Sequence, residues 1–436
     1  MKKKRISTPA RCVLLVLSLL LSFSMVSCVT YGDILDWYGI EVTTVESTEA
    51  STTQTEGTTE GSETVWIPEN GSNSSGAEEN TVHDVSAAAN KGLRSAVSVY
   101  ATFTVNGYWG STTTGTSAGS GVIYRFNEET GSAFIITNYH VVYNSASVTK
   151  DGISDEIAIF LYGMESSEYA IPATYVGGSM NYDIAVLYVA ENPIMQTAAK
   201  NRSVAAVTIA DSDQVQVGTT AIAIGNPESS GISVTTGIVS VDSEYIGMTG
   251  SDGKSTVSFR VIRIDTAVNS GNSGGGLFNG NGDLIGIVNA KVTASDVENI
   301  GYAIPSNIAR AIADNIVDYC FGKECKTVMR GILGISIGVS GLTTSYDPET
   351  GILRKYERVV VAEVVSGGLG SEILVVGDIV KAISVGEKTV EVTRQHHLID
   401  LMLEVRVGDT VTITVERDGE EMTVQTVITE ACLTAY

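Results

Sequence analysis

Between about Val85 and Tyr319 the chain is a succession of short apolar runs, each closed by turn residues, with almost no room for helices between them. Ala133-Phe-Ile-Ile-Thr, Ile157-Ala-Ile-Phe-Leu, Ile184-Ala-Val-Leu-Tyr-Val, Ala221-Ile-Ala-Ile and Leu284-Ile-Gly-Ile-Val are such runs, and Gly121-Val-Ile-Tyr is another. Many short β-type segments punctuated by turns predict a mostly β domain, either a barrel or a sandwich. The 45 glycines fit that turn density. One helix closes the region: Ser306 after Pro305 reads as its N-cap, and Ile308, Ala311, Ile312 and Ile316 form an apolar stripe.

A second folded unit is expected from about Met329 to Glu430. Its strand-like runs are Ile332 to Val339, Val359 to Val365, Ile379 to Ile383 and Thr410 to Glu416. The last of these continues through Arg417-Asp-Gly-Glu into Met422-Thr-Val-Gln-Thr-Val, and Asp-Gly between alternating runs is a hairpin signal. A helix from His396 to Val405 is expected to carry Leu398, Leu401, Met402 and Val405 on one face, with His396 and His397 as an exposed pair.

The N-terminus reads as an address. Lys2, Lys3, Lys4, Arg5 and Arg11 precede an apolar stretch from Cys12 to Met25, which is too short for the roughly 20 residues of a spanning helix. The stretch ends in Met-Val-Ser-Cys at Cys28 and resembles a bacterial lipoprotein signal, although Met25 stands where Leu is usual. Export follows, with Cys28 either lipidated as a membrane anchor or part of an ordinary signal. From about Glu41 to Thr81 come Thr, Ser, Glu, Gly and Asn with no Lys or Arg, a composition that cannot bury enough surface to offset ordering entropy. An acidic tether is expected. The predicted organisation is therefore signal 1–28, tether 29–84, main β domain 85–319, hinge 320–328 and C-terminal domain 329–430.

Charge and cysteines exclude several classes. A net charge of -23 argues against nucleic acid and against anionic membrane surface as partners, since phosphate binding needs a basic face. Of five cysteines, Cys12 and Cys28 belong to the signal. Cys320 and Cys325 flank Phe-Gly-Lys-Glu, either as a loop-closing disulfide or as free thiols, and Cys432 stands apart. No paired Cys-x-x-Cys units point to structural zinc.

The chemistry concentrates in three places. Gly271-Asn-Ser-Gly-Gly-Gly sets Ser273 in a turn whose glycines allow backbone N–H groups to converge where a carbonyl oxygen becomes negative. A serine needs a base, and His140 is the one histidine within the same β-rich unit. Asp183, heading Asp-Ile-Ala-Val-Leu between them, completes the order His, Asp, Ser and can hold the imidazole tautomer.

With Thr-Asn-Tyr-His-Val-Val, Asp-Ile-Ala-Val-Leu, Gly-Asn-Ser-Gly-Gly, Gly301-Tyr-Ala-Ile-Pro-Ser, Ala223-Ile-Gly-Asn-Pro and Val234-Thr-Thr-Gly-Ile-Val-Ser in order, the chain resembles the HtrA (Deg) family of trypsin-like serine proteases from about Val85 to Glu430. The resemblance implies two six-stranded β-barrels with the active site in the cleft between them. It implies His140 as general base, Asp183 as its orienting acid and Ser273 as nucleophile, with the N–H groups of Gly271 and Ser273 as oxyanion hole. The C-terminal unit resembles the family's PDZ domain, in which Arg330-Gly-Ile-Leu-Gly-Ile supplies a carboxylate-binding loop at Ile332, Leu333 and Gly334 for C-terminal peptides. Apolar residues of the helix after His396 then line the groove.

The same resemblance implies unfolded or selected envelope proteins as substrates, gating by the PDZ domain, and assembly as a homotrimer or larger cage. Triad chemistry requires neither metal nor organic cofactor. Two departures stand out: Gly276 and Ser270 replace prolines frequent beside the serine turn. The stretch Asn289 to Ile300, which matches a specificity and activation loop, has a sequence of its own. The competing expectation is a catalytically silent, PDZ-containing binding module or chaperone at the cell surface.

Overall fold

The structure, a computed structural model, describes residues 85–106, 111–290 and 300–436. The signal, Cys28, the tether, His83 and residues 291–299 of the proposed activation loop lie outside the described residues.

Helix α1 (Ser86–Leu93) leads into six strands: β1 (Ala96–Asn106), β2 (Thr112–Phe126), β3 (Ala133–Thr137), β4 (Glu156–Leu161), β5 (Ile171–Ser179) and β6 (Ile184–Val189). They close in the order β1-β2-β3-β6-β5-β4. The short helix α2 (Tyr139–Val142) leaves the end of β3, and α3 (Pro193–Lys200) follows β6. A second closed barrel contains β7 (Thr220–Gly225), β8 (Ser233–Thr249), β9 (Thr256–Ile264), β10 (Gly276–Phe278), β11 (Leu284–Val288) and β12 (Gly301–Pro305), in the order β10-β11-β12-β9-β8-β7. Closure pairs every strand on both sides and leaves no exposed edge.

The alternation that predicted strands also fills the barrels. In β4, Ile157, Ile159 and Leu161 point inward while Ala158 and Phe160 face partly outward. Each such side chain contributes roughly 1.5–3 kcal/mol on full burial. Ile123, Ile135 and Leu187 pack beside them in the first barrel, and Ile262, Leu277 and Ile285 fill the second.

Helix α4 (Ser306–Tyr319) covers the join, with Ile308, Ala311, Ile312 and Ile316 all buried. Its N-cap is Pro305, whereas the sequence suggested Ser306. Ser306 is already helical and its hydroxyl donates to the Ala210 carbonyl at 2.8 Å, so it ties the helix to the loop before β7. Cys320 and Cys325 are disulfide-bonded.

The C-terminal unit comprises β13 (Met329–Gly331), β14 (Ile335–Asp347), β15 (Ile352–Val364), β16 (Ile379–Val385), β17 (Lys388–Glu391), helix α5 (Gln395–Leu401), β18 (Thr410–Arg417), β19 (Glu420–Val427) and β20 (Leu433–Ala435). Its sheet runs β14-β15-β16-β18-β19, with β17 on β16, and β13 pairs with β20 beyond Glu430. The Asp-Gly hairpin is present: Asp418 and Gly419 both have positive φ, as its turn requires.

Three expectations need correction. Ile332 to Gly334 is a loop between β13 and β14, because Gly334 adopts φ +71° and breaks the expected strand. The helix ends at Leu401 rather than Val405, and Leu398, Leu401, Met402 and Val405 are buried in the unit's own core with Leu333 instead of lining an open groove. His396 is buried, not exposed, because α5 packs against the second barrel: Arg260 of β9 reaches Asp400 at 2.8 Å. Asn315 of α4 reinforces that docking by donating to the Met329 carbonyl at 2.8 Å.

Candidate active site

The end of β3 and the start of β6 lie side by side, Thr137 opposite Ala185, which brings the segments after one and before the other together. Asp183 stands just before β6 with φ +53°, and its backbone carbonyl accepts from Tyr139 N at 3.1 Å and Asn138 Nδ2 at 2.8 Å. That clamp aims the carboxylate at His140 on α2. Asp183 Oδ2 meets His140 Nδ1 at 2.6 Å, and Oδ1 accepts the His140 backbone N–H at 3.0 Å. The carboxylate side chain is only 3% exposed. A carboxylate can only accept here, so the ring is protonated at Nδ1 and the neutral ring keeps its lone pair on Nε2, the form a general base needs.

Ser273 lies on the opposite barrel, in the turn before β10. Its carbonyl accepts from Ser120 N at 2.8 Å, and Gly274 fits so closely against the first barrel that an added Cβ would lie 2.3 Å from Thr137 Oγ1. The nucleophile turn is thus seated against the residues that lead into His140. Ser273 Oγ accepts the backbone N–H of Ala290 at 3.1 Å, and among the described residues no hydrogen bond joins it to His140. The structure therefore brings His140 and Asp183 into contact and places Ser273 beside them with its hydroxyl turned to Ala290.

The amides of Gly271 and Ser273 donate to no acceptor among the described residues. Gly271 has φ +96°, and a Cβ there would lie 2.2 Å from the Asn226 carbonyl, so only glycine fits. Two residues outside the expected set support the site. Ser120 Oγ donates to the Gly271 carbonyl at 2.7 Å and accepts from Asn226 N at 2.8 Å, which anchors the peptide unit between Gly271 and Asn272, next to the one that carries the proposed Gly271 N–H donor. Asn289 Nδ2 donates to Asp183 Oδ2 at 2.9 Å and so reaches from the second barrel to the carboxylate of the first. Neither stands in a sequence pattern that announces it, since both act through long-range contacts.

In the C-terminal loop, the Ile332 N–H is taken by the Cys432 carbonyl at 2.7 Å, whereas those of Leu333 and Gly334 meet no described acceptor. Strand β14 is the edge of its sheet.

The family model described as "Trypsin-like peptidase domain" matches residues 119–287, a stretch that holds His140, Asp183 and Ser273. "Serine protease Do-like HtrA" of Bacillus subtilis (strain 168) is 32% identical over 322 residues, which cover 71% of this chain and 63% of that protein. The protein of the same description from Lactococcus lactis subsp. cremoris (strain MG1363) is 32% identical over 317 residues, 70% of this chain and 69% of that protein. The chain belongs to the HtrA family of trypsin-like serine proteases. "Periplasmic serine endoprotease DegP" of Escherichia coli (strain K12) shares 38% identity over 219 residues, 50% of this chain and 38% of DegP. The chain thus spans less than two thirds of the Bacillus HtrA relative's length.

Proposed function

We propose that this chain is an exported serine endopeptidase, with His140, Asp183 and Ser273 as its triad. The observation that carries the proposal is the 2.6 Å contact between His140 Nδ1 and a buried Asp183 carboxylate, beside a serine turn with two amides that meet no acceptor among the described residues. When a peptide enters the cleft, Ser273 Oγ exchanges its Ala290 contact for His140 Nε2. It attacks the carbonyl carbon as its proton passes to Nε2, and the N–H groups of Gly271 and Ser273 hold the oxyanion. The imidazolium, stabilised by Asp183, returns the proton to the leaving amine. A water activated by His140 then hydrolyses the acyl-enzyme.

The substrates on this reading are misfolded or selected envelope proteins. The C-terminal unit (329–430 with the added β20) serves as a PDZ domain. A C-terminal peptide would add to the open edge of β14 and set its carboxylate on the amides of Leu333 and Gly334. Lipidated Cys28 would tether the enzyme to the membrane, and the chain would assemble as a homotrimer.

The turned hydroxyl of Ser273 supports one rival reading, a silent PDZ-containing binding module or chaperone. Incubation with casein separates the two. Cleavage by the purified chain, abolished in Ser273→Ala and in His140→Ala, supports the peptidase. Absence of cleavage with and without hydrophobic C-terminal peptides supports the silent module.

A further inference from the structure

Away from the triad, the seam between the second barrel and the C-terminal unit gathers an unusual set of donors. Asp213 belongs to the turn before β7, and His396 and His397 are neighbours on α5. One ligand atom from each lies within 4.8 Å of the others. We propose that Asp213, His396 and His397 bind a divalent transition-metal ion of the zinc class, which pins the C-terminal unit to the second barrel. The site is independent of whether Ser273 is active.

Distances suit such an ion. Zinc holds histidine nitrogen and carboxylate oxygen at about 2.0–2.2 Å, so donors around a tetrahedral ion stand roughly 3.3 Å apart. His396 Nε2 is 3.7 Å from Asp213 Oδ1, close to that spacing before any ion draws them in.

The histidine tautomers suit it too. His397 Nδ1 is 2.9 Å from the Glu391 carbonyl, which can only accept, so Nδ1 carries the proton and Nε2 keeps the lone pair. His396 Nδ1 faces Ser243 Oγ at 3.4 Å, with its Nε2 toward Asp213. A ring nitrogen held by an outer partner while the other binds is the usual arrangement at metal-ligating histidines.

The local charges leave room for a cation. Arg260 lies 2.9 Å from Asp213 Oδ1 but is shared with Asp400 at 2.8 Å. Arg394 is taken by Asp242 at 2.9 Å and Glu357 at 3.3 Å. Asp213 Oδ2 accepts from Asn307 at 3.1 Å, and Asn307 also binds Asp211 at 2.6 Å. Both guanidiniums are thus engaged by carboxylates, Arg260 by Asp213 and Asp400 and Arg394 by Asp242 and Glu357. The three donors line a cavity of about 1290 Å³, which gives an ion a way in and a water its fourth position.

The test uses the full chain stripped with a chelator, titrated with Zn²⁺ by calorimetry and with Co²⁺ by visible absorption. The expected result is one ion per chain, a low-coordinate Co²⁺ spectrum, and a Tm that rises with Zn²⁺. In His397→Gln, at a partly exposed position, and in Asp213→Asn, Zn²⁺ affinity should fall by about 100-fold or more, beyond the 10- to 100-fold typical of losing an outer-shell partner. His140→Ala should bind as the parent does. No saturable Zn²⁺ binding, binding that survives both His397→Gln and Asp213→Asn in folded protein, or binding lost in His140→Ala would each overturn the site.

Discussion

Replacing Asn289 with alanine deletes one donor to a buried carboxylate and leaves the other two in place. Asp183 accepts from His140 N, from His140 Nδ1 and from Asn289 Nδ2, and the last two share Oδ2. A hydrogen bond to a charged group is worth about 1.5–3 kcal/mol. At about 1.36 kcal/mol per decade, its loss from the step that creates the imidazolium predicts a kcat reduction of about 10- to 150-fold. That is smaller than the roughly 10⁴-fold effect of turning a triad aspartate into asparagine, because the Asp183–His140 pair survives and the tautomer is kept. Asn289→Asp should cost more than Asn289→Ala, since it sets a second carboxylate against Asp183 where a donor stood. The assay is initial-rate cleavage of a fluorogenic casein, with kcat and KM separated and folding checked by circular dichroism. A kcat within twofold of the parent in Asn289→Ala, or Asn289→Asp more active than Asn289→Ala, would refute the view that Asn289 supports the triad carboxylate.

Ser120→Ala should lower kcat about 10-fold with little change in KM, because it frees the Gly271 carbonyl and leaves Asn226 N without its acceptor; steady-state kinetics read this directly. Gly271→Ala should abolish cleavage while the chain remains folded, since the new Cβ meets the Asn226 carbonyl and forces the proposed oxyanion amide out of place. For pH, the Arg417 guanidinium at 2.7 Å holds the Asp378 carboxyl below its ordinary range. A depressed folded value means that the pair stabilises the fold above the unfolded value of about 3.9, and that this stabilisation is lost as pH falls through the folded one. Denaturant unfolding below about pH 4 should therefore show a steeper loss in the parent than in Asp378→Asn.

The proposed triad positions were legible because His140 follows and Asp183 precedes an apolar run that the sequence announces, β3 and β6, whereas Ser273 stood out by its glycine turn and not by the short β10. The Asp-Gly turn of β18 and β19 was equally plain, as its conformation is a local requirement. What the chain hid depends on contacts distant in sequence. Asn289 reads as a loop residue until the two barrels meet, and Ser120 as one of many small residues in β2. His396 looked solvent-facing because the packing of α5 on Arg260 has no periodic signature. The strand reading across Ile332 to Gly334 failed for a local reason, since an apolar run masks the positive φ that Gly334 supplies. Ser306 failed as an N-cap because Ala210, across the fold, claims its hydroxyl.

The most direct test of an activated serine is covalent labelling. The purified chain is treated with a fluorophosphonate probe, with and without a hydrophobic C-terminal peptide, and the modified residue is located by peptide mass in the parent, Ser273→Ala and His140→Ala. The account predicts modification of Ser273, enhanced by the peptide, and its disappearance in both variants. Ser273 left unmodified even with the peptide present, or labelled equally well in His140→Ala, would contradict it.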